Sequence, residues 1–166
     1  MSGALRKGLI VALLHVAIVS TLGAKLLVDR ATRPRVWART GPVDPNLPIR
    51  GRYVRLQIEL EPRGSLAAAT PAAWNPVTLR VDGDRLVAEP STDSRLYARI
   101  ASRDGRNVLV LTQPLAYFIP EHVADPSQRP PDEELWVEVT IPKQGAPRPI
   151  RLGVKKGRTL TPLELK

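Results

Sequence analysis

The chain has 166 residues, 25 Lys and Arg against 16 Asp and Glu, and a net charge of +9. It has no cysteine, which excludes disulfides, thiolate metal sites and a cysteine nucleophile. Aromatic residues make up only 4% and there are 17 prolines, so Val, Leu, Ile and Ala must build any core, in strands that proline keeps short.

Residues 1–7 form a short basic tail carrying Arg6 and Lys7. Residues 8–28 then read GLIVALLHVAIVSTLGAKLLV, uncharged up to Ala24 and without a polar face. A bilayer core takes ~20 apolar residues as a helix, and Lys25 can reach headgroups while its stem stays in lipid. The stretch is therefore expected to be a transmembrane helix. A cleavable signal is the competing reading, but Leu22 stands where the cleavage pattern wants a small residue, which favours an uncleaved signal anchor. His15 is isolated in mid-helix and is expected to be neutral. Gly8 and Ala12, like Ser20 and Ala24, have the spacing at which two helices approach closely, so a homo-oligomer is allowed.

Residues 29–48 read as a connector, because Pro34, Pro42, Pro45 and Pro48 interrupt any helix. The region is basic, and Arg30, Arg33, Arg35, Arg39, Arg50, Arg52 and Arg55 are candidate contacts to anionic headgroups of the lipid bilayer. Residues 49–166 read as one β domain. In Tyr53–Leu60 the apolar Val54, Leu56, Ile58 and Leu60 alternate with polar residues, as a half-buried strand requires. Residues 65–76 read as a loop or single turn.

Val77, Leu79 and Val81 alternate into Asp82-Gly83 and Arg85–Glu89 returns, which predicts a hairpin. Leu96, Ala98 and Ile100, then Asp104-Gly105 and Val108–Thr112, predict a second. Residues 120–131 are irregular, with room for one helical turn at 121–125. Leu135, Val137, Val139 and Ile141 make the clearest period-two strand and place Glu138 on its solvent side. Ile150, Leu152 and Val154 form another strand, Lys156-Gly157 turns, and Leu160–Leu165 closes on an edge. About eight short strands with no helical pattern after residue 28 predict a mainly β fold, a small antiparallel sandwich or barrel.

Pro45-x-x-Pro-x-Arg-Gly-Arg-Tyr-Val-Arg-Leu-Gln-Ile resembles the signature of the GDYXXLXY family of bacterial membrane-anchored proteins. Gly51, Tyr53 and Leu56 match it, while Arg52 stands in place of its Asp and Ile58 in place of its last Tyr. Tyr117, Phe118, Pro120 and Glu121 lie in a segment similar to a second one of that family, and Leu152-x-Val-x-x-Gly157 is similar to a third. The resemblance implies a β domain tethered by one helix to the inner (cytoplasmic) membrane and exposed on its periplasmic side. It carries over no activity or cofactor.

The residues themselves offer little catalytic chemistry. His122 is the one histidine outside the apolar segment, and Glu121-His122-x-x-Asp125 lacks the His or Cys majority of a zinc site. No serine has a nucleophile-elbow context. The Ser-Lys dyad of membrane-tethered hydrolases lacks a serine between Lys25 and Gly64. Nucleic-acid binding through Arg55, Arg80 and Arg99 with Tyr53 or Tyr97 is disfavoured, because Glu59, Glu61, Asp82, Asp84 and Glu89 interleave with those arginines. The expected function is thus a non-enzymatic accessory or interaction module of a membrane assembly, with another membrane or envelope protein as partner. The alternative is a binding domain for anionic ligands, lipid headgroups or an envelope polymer. On topology the cations after the helix favour a cytoplasmic domain. The signal-anchor form of the N-terminus and the resemblance favour an extracytoplasmic one, which is the expectation retained.

Overall fold

The computed structural model describes residues 3–42, 53–70, 73–103 and 105–165, in two compact units, one ending at Arg33 and one beginning at Pro34. The first unit is α1 (Gly3–Thr32). Residues Leu5–Thr32 are long and apolar enough to cross a membrane, and none of this helix is buried by protein. At ~1.5 Å per residue α1 is ~45 Å long, more than the ~30 Å of a hydrocarbon core.

Polar side chains of α1 turn back onto its own backbone, as an apolar surrounding demands. Thr21 Oγ1 donates to the Ala17 carbonyl at 2.7 Å and Thr32 Oγ1 to Val28 at 2.8 Å. His15 Nδ1 lies 2.8 Å from the Val11 carbonyl, and because a carbonyl only accepts, Nδ1 carries the proton. The helix ends at Thr32 because Arg33 precedes Pro34, whose ring disfavours the helical region for the residue before it.

The second unit has ten strands among its described residues: β1 (Arg35–Pro42), β2 (Tyr53–Pro62), β3 (Asn75–Asp82), β4 (Arg85–Pro90), β5 (Tyr97–Arg103), β6 (Arg106–Leu111), β7 (Leu115–Phe118), β8 (Glu133–Thr140), β9 (Arg148–Lys156) and β10 (Thr159–Pro162). β2, β4, β3, β5 and β6 form a closed barrel, and the extra strands extend from β2 as β1, β8, β9 and β10. The mainly β expectation with one preceding apolar helix therefore holds.

β2 belongs to both parts. One of its edges pairs first with β1 (Thr40 opposite Ile58) and then, in parallel, with β4 (Glu61 opposite Val87). Its other edge pairs with β7 and then β6. Its alternation is as read, with Val54, Leu56, Ile58 and Leu60 buried. These side chains join Val77, Leu79, Leu109, Leu111, Val137 and Leu152 in one core. Both hairpins form in register from Asp82↔Arg85 and Arg103↔Arg106. Gly83, at φ 61°, supplies the left-handed residue the first turn needs.

Four expectations are corrected. Residues 3–7 and 29–32, read as tail and connector, belong to α1. Residues 35–42, read as connector, are β1, paired with β8 from Arg35↔Thr140 to Arg39↔Trp136. Its inward residues are Val36, Ala38 and Thr40, the last satisfied by a 2.9 Å hydrogen bond from Oγ1 to the Gln57 carbonyl. The connection between α1 and β1 is therefore two residues, Arg33 and Pro34. Leu115–Phe118 is also a strand, β7, set between Pro114 and Pro120 and pairing with β2. Residues 121–125 form a turn, closed by the Val123 N–H donating to the Pro120 carbonyl at 3.2 Å, without a helix.

Candidate functional site: a cleft where the sheet forks

Where β1 parts from β2 and β4 takes its place, the sheet forks and leaves a cleft of about 1030 Å³. Its floor belongs to the apolar core: Val36 and Ala38 of β1, Leu60 of β2, Leu66 of the short 3-10 turn Gly64–Ala68, Leu86 of β4 and Leu109 of β6. Its walls carry Trp37, Arg39, Glu59, Trp136, Lys155 and Arg158. The strand alternation explains this split. On β1 the even residues turn to the core, so Arg35, Trp37 and Arg39 turn to the opposite face.

That face is a network of ion pairs and rings. Glu59 is held between two guanidiniums, with Oε1 2.9 Å from Arg103 Nη1 and Oε2 3.5 Å from Arg39 Nη1. All three side chains are at most 20% exposed. Gly41 makes room for Arg103, because a Cβ there would lie 2.7 Å from the Arg103 Cζ. Arg39 Nε reaches Glu134 Oε1 at 3.3 Å, and Trp136 Nε1 donates to the other Glu134 oxygen at 3.1 Å. Lys155 Nζ sits over the Trp136 ring, 4.5 Å from its centroid. Arg151 lies over Trp37 at 5.4 Å and donates from Nε to Glu138 Oε2 at 2.7 Å.

Glu138 was expected on the solvent side. It does face away from the core, yet it is only 7% exposed, because Trp37 and Arg151 flank it in register. Each carboxylate on this face is thus matched to a cation, whereas Lys155 and Arg158 on the cleft wall have no carboxylate partner among the described residues.

The resemblance residues fall elsewhere. Gly51, Arg50 and Arg52 lie outside the described residues. Leu56 is fully buried, opposite Leu115. Tyr53 pairs with Phe118 and Val54 with Tyr117, so the first and second segments of the resemblance lie on neighbouring strands. The Tyr53 and Phe118 rings touch at 6.0 Å between centroids, tilted by 58°, and Phe118 is 76% exposed. Pro120 is half-buried and Glu121 exposed.

Of the seven basic candidates, the five that are described are spread over several elements. Arg30 closes α1, Arg33 is in the join, Arg35 and Arg39 are in β1, and Arg55 is half-buried on β2. Arg39 is committed to Glu59 and Glu134. Arg80, from the strand face, pairs with Glu89 at 3.6 Å. His122 is exposed, and Asp125 caps the turn by accepting from the Ser127 N–H at 2.8 Å. Among the described residues no three His, Asp or Glu side chains converge as metal ligands would.

Sequence reasoning missed the cleft because its lining comes from eight strands and the turns between them. One local signal was present: in Arg35–Thr40, polar or aromatic residues alternate with Val36, Ala38 and Thr40. No family model matches the chain, and no curated protein or solved structure matches it.

Proposed function

We propose that the chain is a single-pass membrane protein of the inner bacterial membrane, and that its β-barrel unit is a non-enzymatic interaction module on the extracytoplasmic side. One observation carries this reading. A helix apolar on every face runs, two residues later, into the first strand of the barrel. Two residues connect them, so the β unit is tethered to whatever membrane holds the helix. The exposed Phe118 beside Tyr53 supports the interaction role, since aromatic side chains are enriched where proteins associate. The GDYXXLXY resemblance supports the extracytoplasmic side.

The test uses the absence of cysteine. Asn107 is exposed on β6, and Asn107→Cys in otherwise intact cells should react with a maleimide that passes an outer membrane but not the inner one. Reaction only after lysis would place the domain in the cytoplasm. A photoreactive phenylalanine analogue at position 118 should give a discrete protein adduct in membranes. Its absence, with the domain outside, would argue against the module reading while leaving the anchor intact.

A further inference from the structure

We propose that the forked cleft is a binding site for an anionic membrane lipid, whose acyl chain lies on the apolar floor and whose phosphate is held by Lys155 and Arg158. The proposal deepens the membrane reading above and rests on it.

Three observations meet in this cleft. Its volume of about 1030 Å³ is at the upper end of what ligand sites in proteins offer, roughly 300–1000 Å³. Its lining is apolar on one side, where the half-buried Ile100, Val108 and Leu160 stand over the buried core side chains Leu60, Leu66 and Leu86. Its basic groups differ in what they can still bind. Arg39 is spent on Glu59 and Glu134, and Arg85 on Glu61 at 3.2 Å. Lys155 rests on the Trp136 face and Arg158 is exposed in the β9–β10 turn, each with no carboxylate partner among the described residues.

A ligand that satisfies both surfaces is an amphiphile with one negative end. A free phosphate would leave the floor wet, and a neutral lipid would leave the two cations unanswered. An extended segment of a partner protein would use the floor but has no reason to bring an anion to Lys155 and Arg158. The two-residue join to α1 keeps the domain where such lipids are abundant.

The test is photo-cross-linking of the full chain, reconstituted in phosphatidylcholine nanodiscs doped with phosphatidylglycerol bearing a diazirine in its acyl chain. The expected cross-links map to β-domain peptides containing Val36, Leu60 or Leu86. Unlabelled phosphatidylglycerol should compete, whereas glycerol phosphate at the same concentration should not. Lys155→Gln with Arg158→Gln should cut domain labelling roughly tenfold, from about a fewfold per cation at a lipid surface. Ala67→Trp, at an exposed position on the cleft wall, should block it without touching a charge. Cross-links confined to α1 would overturn the proposal. So would equal domain labelling by a phosphatidylcholine probe, or labelling that survives both variants. Failure of the underlying membrane reading would show separately, as release of the full chain from membranes at alkaline pH.

Discussion

Glu138→Lys is a sharp probe of the outer face, because simple alternation makes it harmless and the structure makes it costly. The Glu138 side chain is 9% exposed and accepts a 2.7 Å hydrogen bond from Arg151 Nε. A hydrogen bond to a charged group contributes ~1.5–3 kcal/mol. A lysine there loses that bond and sets an ammonium against the guanidinium. Arg151 is half exposed, so screening limits the repulsion to about 1 kcal/mol. The expected cost is then ~2.5–4 kcal/mol, a large part of the ~5–15 kcal/mol of a typical domain. At ~1–2 kcal/mol per molar urea, the unfolding midpoint should fall by about 1–4 M.

The assay is urea unfolding of the full chain in non-ionic detergent, followed by tryptophan fluorescence, since Trp37 and Trp136 lie on this face. Glu138→Gln keeps a hydrogen-bond acceptor and should lose only about 1 kcal/mol. Glu138→Lys combined with Arg151→Glu restores the pair in reverse and should recover about half the loss, the remainder being the forfeited cation–ring contact with Trp37. A Glu138→Lys midpoint equal to the parent's, or a reversed pair no better than the single variant, would refute the reasoning.

Val137 is fully buried, so Val137→Asp should abolish the folded barrel and its near-ultraviolet circular dichroism, because an unpaired buried carboxylate costs several kcal/mol. A native spectrum would mean the β8 register is wrong. Gly41→Ala should push the Arg103 guanidinium off Glu59 and cost about 1–2 kcal/mol, a loss that Arg103→Ala should largely mask in a double-mutant cycle. The Lys156 ammonium, 2.8 Å away, hydrogen-bonds Asp132 and holds its carboxyl below the usual carboxylate range; the same bond raises the Lys156 ammonium. A depressed carboxyl stabilises the fold above about pH 4 and loses that contribution as pH falls. Asp132→Asn should therefore flatten the acid limb of a stability–pH curve slightly at low salt, and high salt should erase the difference between the two proteins.

The parts of the fold that sequence revealed are those where alternation is strong and local. Val54, Leu56, Ile58 and Leu60 leave no doubt about which face of β2 is buried, and Asp82-Gly83 marks the β3–β4 turn without tertiary help. β1 escaped because two of its three inward residues are Ala38 and Thr40, which carry little hydropathy, and because Pro34 and Pro42 bound it. β7 escaped because four residues between prolines are too few for a period to register. Glu138 misled for a different reason: burial of a charged side chain depends on what lies across two neighbouring strands, and Trp37 and Arg151 are 101 and 13 positions away. The cleft is the same problem enlarged, since Trp37, Glu59, Leu86 and Lys155 converge only after β1 has found β8.

That last pairing also dictates an order of events during synthesis. Arg35 pairs with Thr140, 105 positions later. At ~5–20 residues per second, the ribosome needs several seconds or more to deliver the partner strand. Hairpins β3–β4 and β5–β6 can form meanwhile, since each joins neighbours in sequence. β1 cannot, and it emerges first, directly behind the membrane helix. For that interval a strand edge and the aliphatic surface of Val36 and Ala38 remain without their β8 partner. Cells making this protein are thus expected to depend on a holding factor at the site of insertion, and a chain stopped before Glu133 should be a preferred substrate for membrane-associated proteolysis.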